Sequence, residues 1–416
     1  MGSAMGAHCR PSWRLACALA LGLLLGAVAA AARAEVVLTV EIDLRAEIEA
    51  GRFDPSRDAL GLRGGHPPLS WQRPLMARPI GGGRYGLEIR FERLPFGNQP
   101  VAYKARIERL GQGPDQGWEP GRNHAIRLEA GARIARPFGA EPAAVAWPRT
   151  GMIERLGRIA SAHVAPRHVQ VWLPPAYAAD TTRRHPVLYL HDGQNVFDGE
   201  SAGAEWMVDE TAQRLAGQGL IEAPIIVAVD SVATRVQDYT PSRMTLPPQR
   251  TGTGRAETVG GGAAAYGRFL AEELKPLIDA RYRTRPDRAS TAVGGSSLGG
   301  LVSLWLALHR SDTFGAALVV SPSVWWDERF ALRDLETLKA PPSPRPRLWL
   351  DMGAREGEEA LPAARQLRQA LMTRGWDSAT LAYVEDPEGA HDEASWAARV
   401  DGMLRFLYPR PGAAPR

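Results

Sequence analysis

The run Ser290–Ala307, STAVGGSSLGGLVSLWLA, constrains this chain more than any other segment. A short apolar stretch, Thr291–Val293, runs into Gly294-Gly295, then Ser296-Ser297, then Leu298-Gly299-Gly300 and an apolar helical pattern. Gly295-Ser296-Ser297-Leu298-Gly299 is therefore G-x-S-x-G between a predicted strand and a predicted helix, the layout of a nucleophile elbow. Such a turn is tight and needs small flanking residues. It lifts the Ser297 hydroxyl to the strand end and aims the following N–H groups at the same point. A second match, Gly199-Glu200-Ser201-Ala202-Gly203, follows the polar Phe197-Asp198 and has no strand to sit on. Ser297 is the expected nucleophile; its competing role is a turn serine that caps the helix.

A serine hydroxyl needs a base within hydrogen-bond reach and a carboxylate to orient that base. In α/β-hydrolases the chain order is serine, acid, histidine. Only His309 and His391 follow Ser297. His309 closes the helix after the elbow, a routine place for an imidazole. His391 lies in Glu388-Gly389-Ala390-His391-Asp392-Glu393, between the last predicted strand and the last predicted helix, and is the expected base. The acid is expected just past the strand Arg347–Met352: Glu356 first, with Asp351 and Glu358 as alternatives. Glu358 and Glu359 equally suit the first turn of a helix. The oxyanion hole needs two N–H groups. Leu298 and Gln194 (or Gly193), in the turn of Tyr189-Leu190-His191-Asp192-Gly193-Gln194, are the expected donors. Trp325 and Trp326 are candidates for an aromatic substrate wall, with core packing the alternative for at least one; Arg235 and, more weakly, Tyr239 are further pocket candidates. His191 and Asp192 have no second histidine at ligand spacing and no H-E-x-x-H, so no metal and no cofactor is expected.

The elbow sits in a region of alternating elements. Predicted strands are Ile153–Ala160, Val169–Leu173, Pro186–His191, Ile225–Val229, Thr291–Gly294, Ala316–Val320, Arg347–Met352 and Ala379–Val384. Predicted helices are Trp206–Ala216, Ala263–Ala280, Leu298–His309, Leu361–Arg374 and Glu393–Phe406. This alternation implies a mostly parallel sheet with helices on both faces, an α/β fold over residues 152–410. The glycine-rich run 252–262 has no preceding strand and no Lys-Ser/Thr after it; it is neither a P-loop nor a dinucleotide fingerprint and reads as a mobile loop. Residues 35–137 instead carry short alternating or β-branched patterns, Val36–Ile42, Tyr85–Phe91, Val101–Ile107 and His124–Leu128, between glycine and proline turns. They predict a small all-β sandwich. The alanine- and proline-rich 138–151 is a linker, and 411–416 a disordered tail.

Residues 1–34 have the form of a secretory signal: Arg10 and Arg14, the apolar run Leu15–Val28, and Ala32-Arg33-Ala34 before Glu35. The run is short for a membrane span, a retained anchor helix being the alternative. Cleavage leaves 382 residues and a formal net charge of +1 rather than +4, because three arginines leave with the signal. Both cysteines, Cys9 and Cys17, leave too, so a mature chain has no disulfide and no thiolate metal site. Export without disulfides suits a bacterial periplasm or exterior. No block of charge suggests nucleic acid, and no membrane contact is expected after cleavage.

Several motifs, the elbow among them, point the same way. They are RHVQVWLPP (167–175), YLHDGQNVFD (189–198), FLAEELKPLIDARYRT (269–284), GGSSLGG (294–300), SPSVWW (321–326) and GAHDEASW (389–396). Over residues 153–408 the chain resembles the putative-esterase group of α/β-hydrolases, which includes enterochelin, feruloyl and acetyl-xylan esterases, S-formylglutathione hydrolases and mycolyltransferases. The resemblance implies cofactor-free hydrolysis of carboxylic esters by Ser297, His391 and an acid near Glu356. It departs at that acid, where family members often carry aspartate. Residues 36–130 resemble, less specifically, a starch-binding family-20 carbohydrate-binding module. The likeness lies in Leu60–Trp71, in Tyr103-Lys104 and in Trp118-Glu119-Pro120-Gly121-Arg122-Asn123, with the first loop shortened and proline-rich. It implies Trp71 and Trp118 stacked on an α-glucan, with Lys104 and Asn123 bonding its hydroxyls; a sandwich that only positions the esterase is the alternative. The expected function is an exported serine esterase acting on a siderophore lactone or on an acyl or feruloyl ester of a glycan. Acyl transfer on the same fold and plain glycan binding are the other readings.

Overall fold

A computed structural model describes residues 35–71, 73–92, 94–95, 99–109, 116–143, 150–199, 204–248 and 254–410. The signal-like segment, Ser201, the centre of the linker and the tail lie outside the described residues.

The first half builds two four-stranded sheets. One has the order β4-β5-β1-β8, from β1 (Val36–Asp43), β4 (Arg78–Gly81), β5 (Arg84–Phe91) and β8 (Arg133–Pro137). The other has the order β3-β2-β6-β7, from β2 (Ala59–Gly64), β3 (Leu75–Met76), β6 (Val101–Glu108) and β7 (His124–Ile126). Alternation decides which face is inward. Leu38, Val40 and Ile42 of β1 are buried, as are Leu60 and Leu62 of β2 and Val101, Tyr103, Ala105 and Ile107 of β6, in one shared apolar cluster. A single helical turn, Arg45–Glu49, follows β1.

The second half is an eight-stranded sheet in the order β18-β17-β16-β15-β11-β12-β10-β9. Its strands are β9 (Met152–Ile159), β10 (Arg167–Leu173), β11 (Val187–His191), β12 (Ile225–Val229), β15 (Thr291–Ser296), β16 (Ala316–Val320), β17 (Arg347–Gly353) and β18 (Leu381–Asp386). From β12 to β18 every pairing is parallel; β10 is antiparallel to both its neighbours. The central strands are buried on both faces, as continuous apolar runs such as Ile225–Val229 and Ala316–Val320 require. Separate buried clusters line the two faces.

Some elements of the second half differ from the sequence expectation. Glu257–Gly260, inside the glycine-rich run, is β14 and pairs with β13 (Arg243–Leu246) in a hairpin, so that part of the run is not a free loop. The last predicted helix is two, Glu393–Ala397 and Val400–Leu407. A further helix, Trp326–Thr337, begins through three left-handed residues, Asp327, Glu328 and Arg329.

Candidate active site

Ser297 stands between β15 and the helix Leu298–His309 with φ 60° and ψ −121°, a conformation rare for a residue with a Cβ. The elbow is tight because its neighbours are. A Cβ on Gly295 would lie 3.0 Å from the His191 ring, and one on Gly300 only 2.7 Å from the Val320 carbonyl oxygen. Backbone bonds hold the turn: Ser297 N–H donates to Val320 O at 3.0 Å, and Ser323 N–H donates to Ser297 O at 3.0 Å. The Ser297 hydroxyl is 3.3 Å from the Ser323 hydroxyl. Beneath the elbow His191 is buried, and burial pushes its imidazole down to about 3. It shares a 2.9 Å hydrogen bond with Tyr266, so it is a neutral core group.

His391 follows β18, and its Nδ1–H donates to Glu356 Oε2 at 2.6 Å. Glu356 follows β17. Its side chain is only 3% exposed, whereas that of His391 is 44% exposed. Glu356 Oε1 accepts from Gly353 N–H at 2.8 Å and from the Ser321 hydroxyl at 2.5 Å. Asp351, the alternative acid, is turned away. It is fully buried and accepts from Trp349 Nε1 and Ser321 N–H, and burial pushes its carboxyl up against the pull of Arg399. Ser297, Leu298, Glu356, Glu358 and His391 all line one cavity of about 800 Å³, together with Arg235, Ser321, Ser323 and Trp325.

Of the expected oxyanion donors, Leu298 lines this cavity and begins a helix whose first N–H groups have no intrahelical acceptor. Gln194 is not among the lining residues. It sits in a 3₁₀ turn after the left-handed Asp192, and its side chain is locked to Ser231 by bonds of 2.7 and 3.1 Å. Arg235 lines the cavity with its guanidinium forked on Asp192 at 2.7 and 2.8 Å. Tyr239 is fully buried. The paired substrate wall needs correction. Trp325 is half exposed on the cavity, but Trp326 is buried and donates its indole N–H to Ser242 O, inside the core. A helix starting at Trp326 turns these neighbours to opposite sides.

The comparisons with known proteins point to an ester hydrolase. The family model described as "Putative esterase" matches residues 161–407, more than half of the chain. The chain belongs to the putative-esterase family. Its chemistry is carboxylic-ester hydrolysis. Among curated relatives, the iron(III) salmochelin esterase of Escherichia coli is 35% identical over 163 residues, which are 36% of this chain and 38% of that protein. The ferri-bacillibactin esterase BesA of Bacillus subtilis is 34% identical over 155 residues, 36% of this chain and 51% of that protein. The chain thus spans about half or less of the length of these two relatives. Among solved structures, the enterobactin esterase of Shigella flexneri superposes with a TM-score of 0.57 at 17% identity, covering 85% of this chain and 88% of that one.

Of the four carbohydrate candidates, Lys104 lies on β6, Trp118 forms an isolated bridge to Arg106 of β6, and Trp71 and Asn123 lie in turns outside the strands. Trp71 and Trp118 are neighbours, with ring centroids 6.3 Å apart at 54°. Arg63 and Arg106 lie over the Trp118 ring at 5.5 and 5.4 Å. The Lys104 ammonium donates to Gly121 O at 2.5 Å. Asn123 is half-buried in the same turn. Glu119 is buried and bonded by Arg136 and by Ala105 N–H, which pins the Trp118–Asn123 turn to the sheet. Sequence reasoning missed Ser321, Ser323, Trp396 and Arg399. Ser321 and Ser323 sit in the SPSVWW motif, where only the tryptophans had drawn notice.

Proposed function

We propose that this protein is a serine esterase that cleaves a small siderophore-type ester through an acyl-enzyme. Ser297 attacks the ester carbonyl, and His391 takes its proton at Nε2 while Glu356 holds Nδ1–H. The Leu298 N–H, at the start of the elbow helix, stabilises the oxyanion. The alcohol leaves with the proton returned by His391, and water then repeats the sequence on the acyl-enzyme. The observation that carries this reading is the 2.6 Å His391–Glu356 bond opening on the same cavity as the strained Ser297. Relatives named as siderophore esterases favour a siderophore ester over a glycan ester, and the half-exposed Trp325 supplies an apolar wall for the acyl part. The signal-like N-terminus supports a site of action in a bacterial periplasm or outside the cell.

Hydrolysis of p-nitrophenyl butyrate by the protein, by Ser297→Ala and by Ser201→Ala tests the assignment. Wild type and Ser201→Ala turn over, and Ser297→Ala loses at least about 10³-fold in kcat. Equal rates for wild type and Ser297→Ala would overturn it. Glucan binding by the β half is a second reading, favoured by the adjacent Trp71 and Trp118 indoles. Retardation on amylose that Trp71→Ala abolishes is its test; Arg63 and Arg106 over Trp118 argue for a structural role of that ring instead.

A further inference from the structure

Either oxygen of Glu356 could face His391, and the surroundings of Ser321 decide which one does. A serine hydroxyl has one proton and two lone pairs. Trp396 Nε1–H, which can only donate, points at Ser321 Oγ from 3.1 Å. The Arg399 guanidinium, which also can only donate, reaches the same oxygen from 3.0 Å. With both lone pairs taken, the Ser321 proton has one direction left, toward Glu356 Oε1 at 2.5 Å. Gly353 N–H donates to the same oxygen at 2.8 Å, which leaves Oε2 for His391.

We propose that Arg399 and Trp396, acting through the Ser321 hydroxyl, are positioning residues that fix the orientation of Glu356 and through it the Nδ1–H tautomer of His391. The inference rests on the serine-esterase reading above. Arg399 is buried and cannot swing away, because Asp351 and Asp386 each hold it at 3.2 Å. Ser321 is held at φ 42° by its own N–H, which donates to both the carbonyl and the carboxylate of Asp351 at 3.1 Å. Trp396 also sets an edge against the His391 ring, at 5.2 Å and 85°, so one indole steadies both members of the acid–base pair.

The test compares wild type with Ser321→Ala, Trp396→Phe, Arg399→Lys and Arg399→Met. The readouts are p-nitrophenyl butyrate kinetics and the downfield proton resonance of the His391 Nδ1–H, identified by its absence in His391→Ala. Ser321→Ala should lower kcat by about tenfold or more, the scale of one lost hydrogen bond, with KM within about twofold, and should move the Nδ1 resonance. Trp396→Phe should do the same to a smaller degree, and Arg399→Lys should retain more kcat than Arg399→Met. A folded Ser321→Ala with wild-type kcat and an unmoved resonance overturns the proposal. So does a loss confined to KM, which would put Ser321 on the substrate. If Ser321→Ala does not fold, Trp396→Phe decides by the same two readouts. If wild type hydrolyses no ester, the esterase reading fails by itself, while the resonance still tests the positioning.

Discussion

Changing Glu356 to glutamine should damage this enzyme more than removing the side chain. Oε1 of Glu356 accepts from two groups that can supply nothing but a proton here, the Ser321 hydroxyl and Gly353 N–H. A glutamine in this place must put its amide oxygen at that position. Its amide nitrogen then replaces Oε2, 2.6 Å from His391 Nδ1, and donates to it. Nδ1 becomes the acceptor, the imidazole proton moves to Nε2, and no lone pair faces Ser297. The cost of such a wrong tautomer is about 10⁴ in kcat, or roughly 5.5 kcal/mol at about 1.4 kcal/mol per decade. Glu356→Ala strands the two donors but imposes no tautomer, and about 10²–10³ is expected of it. Steady-state hydrolysis of p-nitrophenyl butyrate, with folding checked by thermal melts, separates the two. A glutamine variant with more than a tenth of wild-type kcat, or one faster than the alanine variant, would refute the assignment of Oε1 and with it the inferred tautomer.

Two further predictions concern the framework. Burial alone would raise the Glu119 carboxyl, but His124, Arg136 and Ala105 N–H together hold it down to about 2. A folded value below the unfolded one stabilises the protein above about pH 4.5, and that stability is lost as pH falls toward 2. A Glu119→Gln variant should therefore be less stable than wild type at pH 7, by up to roughly 3 kcal/mol, and the gap in urea midpoints should close between pH 4.5 and 2; a constant gap would count against the ion-pair account. In the elbow helix, a Cβ at position 300 meets the Val320 carbonyl at 2.7 Å, whereas one at position 299 has its nearest neighbour at 3.5 Å. Gly300→Ala should cost about 1–3 kcal/mol in denaturant unfolding and Gly299→Ala close to nothing, and equal losses would contradict this packing.

The sequence discloses what local chemistry dictates. β15 and the helix Leu298–His309 were legible because an apolar β run, paired glycines and a helical period adjoin. The strand Ala59–Gly64 was not. Its sequence, ALGLRG, has two glycines and an arginine, and only Leu60 and Leu62 alternate. It is a buried strand because Gly61 and Gly64 allow Pro74 and the Ala102 carbonyl to approach, and because Arg63 is paired with Glu108 from β6. Trp325 and Trp326 looked equivalent as a dipeptide; only the start of a helix between them sends one to the cavity and the other to the core. His391 and Glu356 could be located from chain order and strand ends. Ser321 could not, since the groups that give it meaning lie 35, 75 and 78 positions away in Glu356, Trp396 and Arg399.

Strand order explains why so scattered a set converges. Ser297 follows β15, Ser321 follows β16, Glu356 follows β17 and His391 follows β18, and these four strands are consecutive parallel neighbours. The carboxyl ends of adjacent parallel strands form one edge, the place where α/β sheets gather their ligands. Each step is braced by the next strand. Ser297 N–H donates to Val320 O of β16, Ser321 N–H donates to Asp351 O of β17, and Ala354 N–H donates to Asp386 O of β18. Two of these steps use a non-glycine residue in the left-handed region, Ser297 at φ 60° and Ser321 at φ 42°. Each such residue costs on the order of 1–3 kcal/mol and persists only where its surroundings over-determine it. Here the bracing bond from the next strand does so at both places. The nucleophile and the group that orients the acid are thus the same structural device used twice, one strand apart. A change that loosens β16 against β17 should therefore disturb the acid before it disturbs the nucleophile, because Ser297 is braced by β16 itself and Ser321 by the strand beyond it.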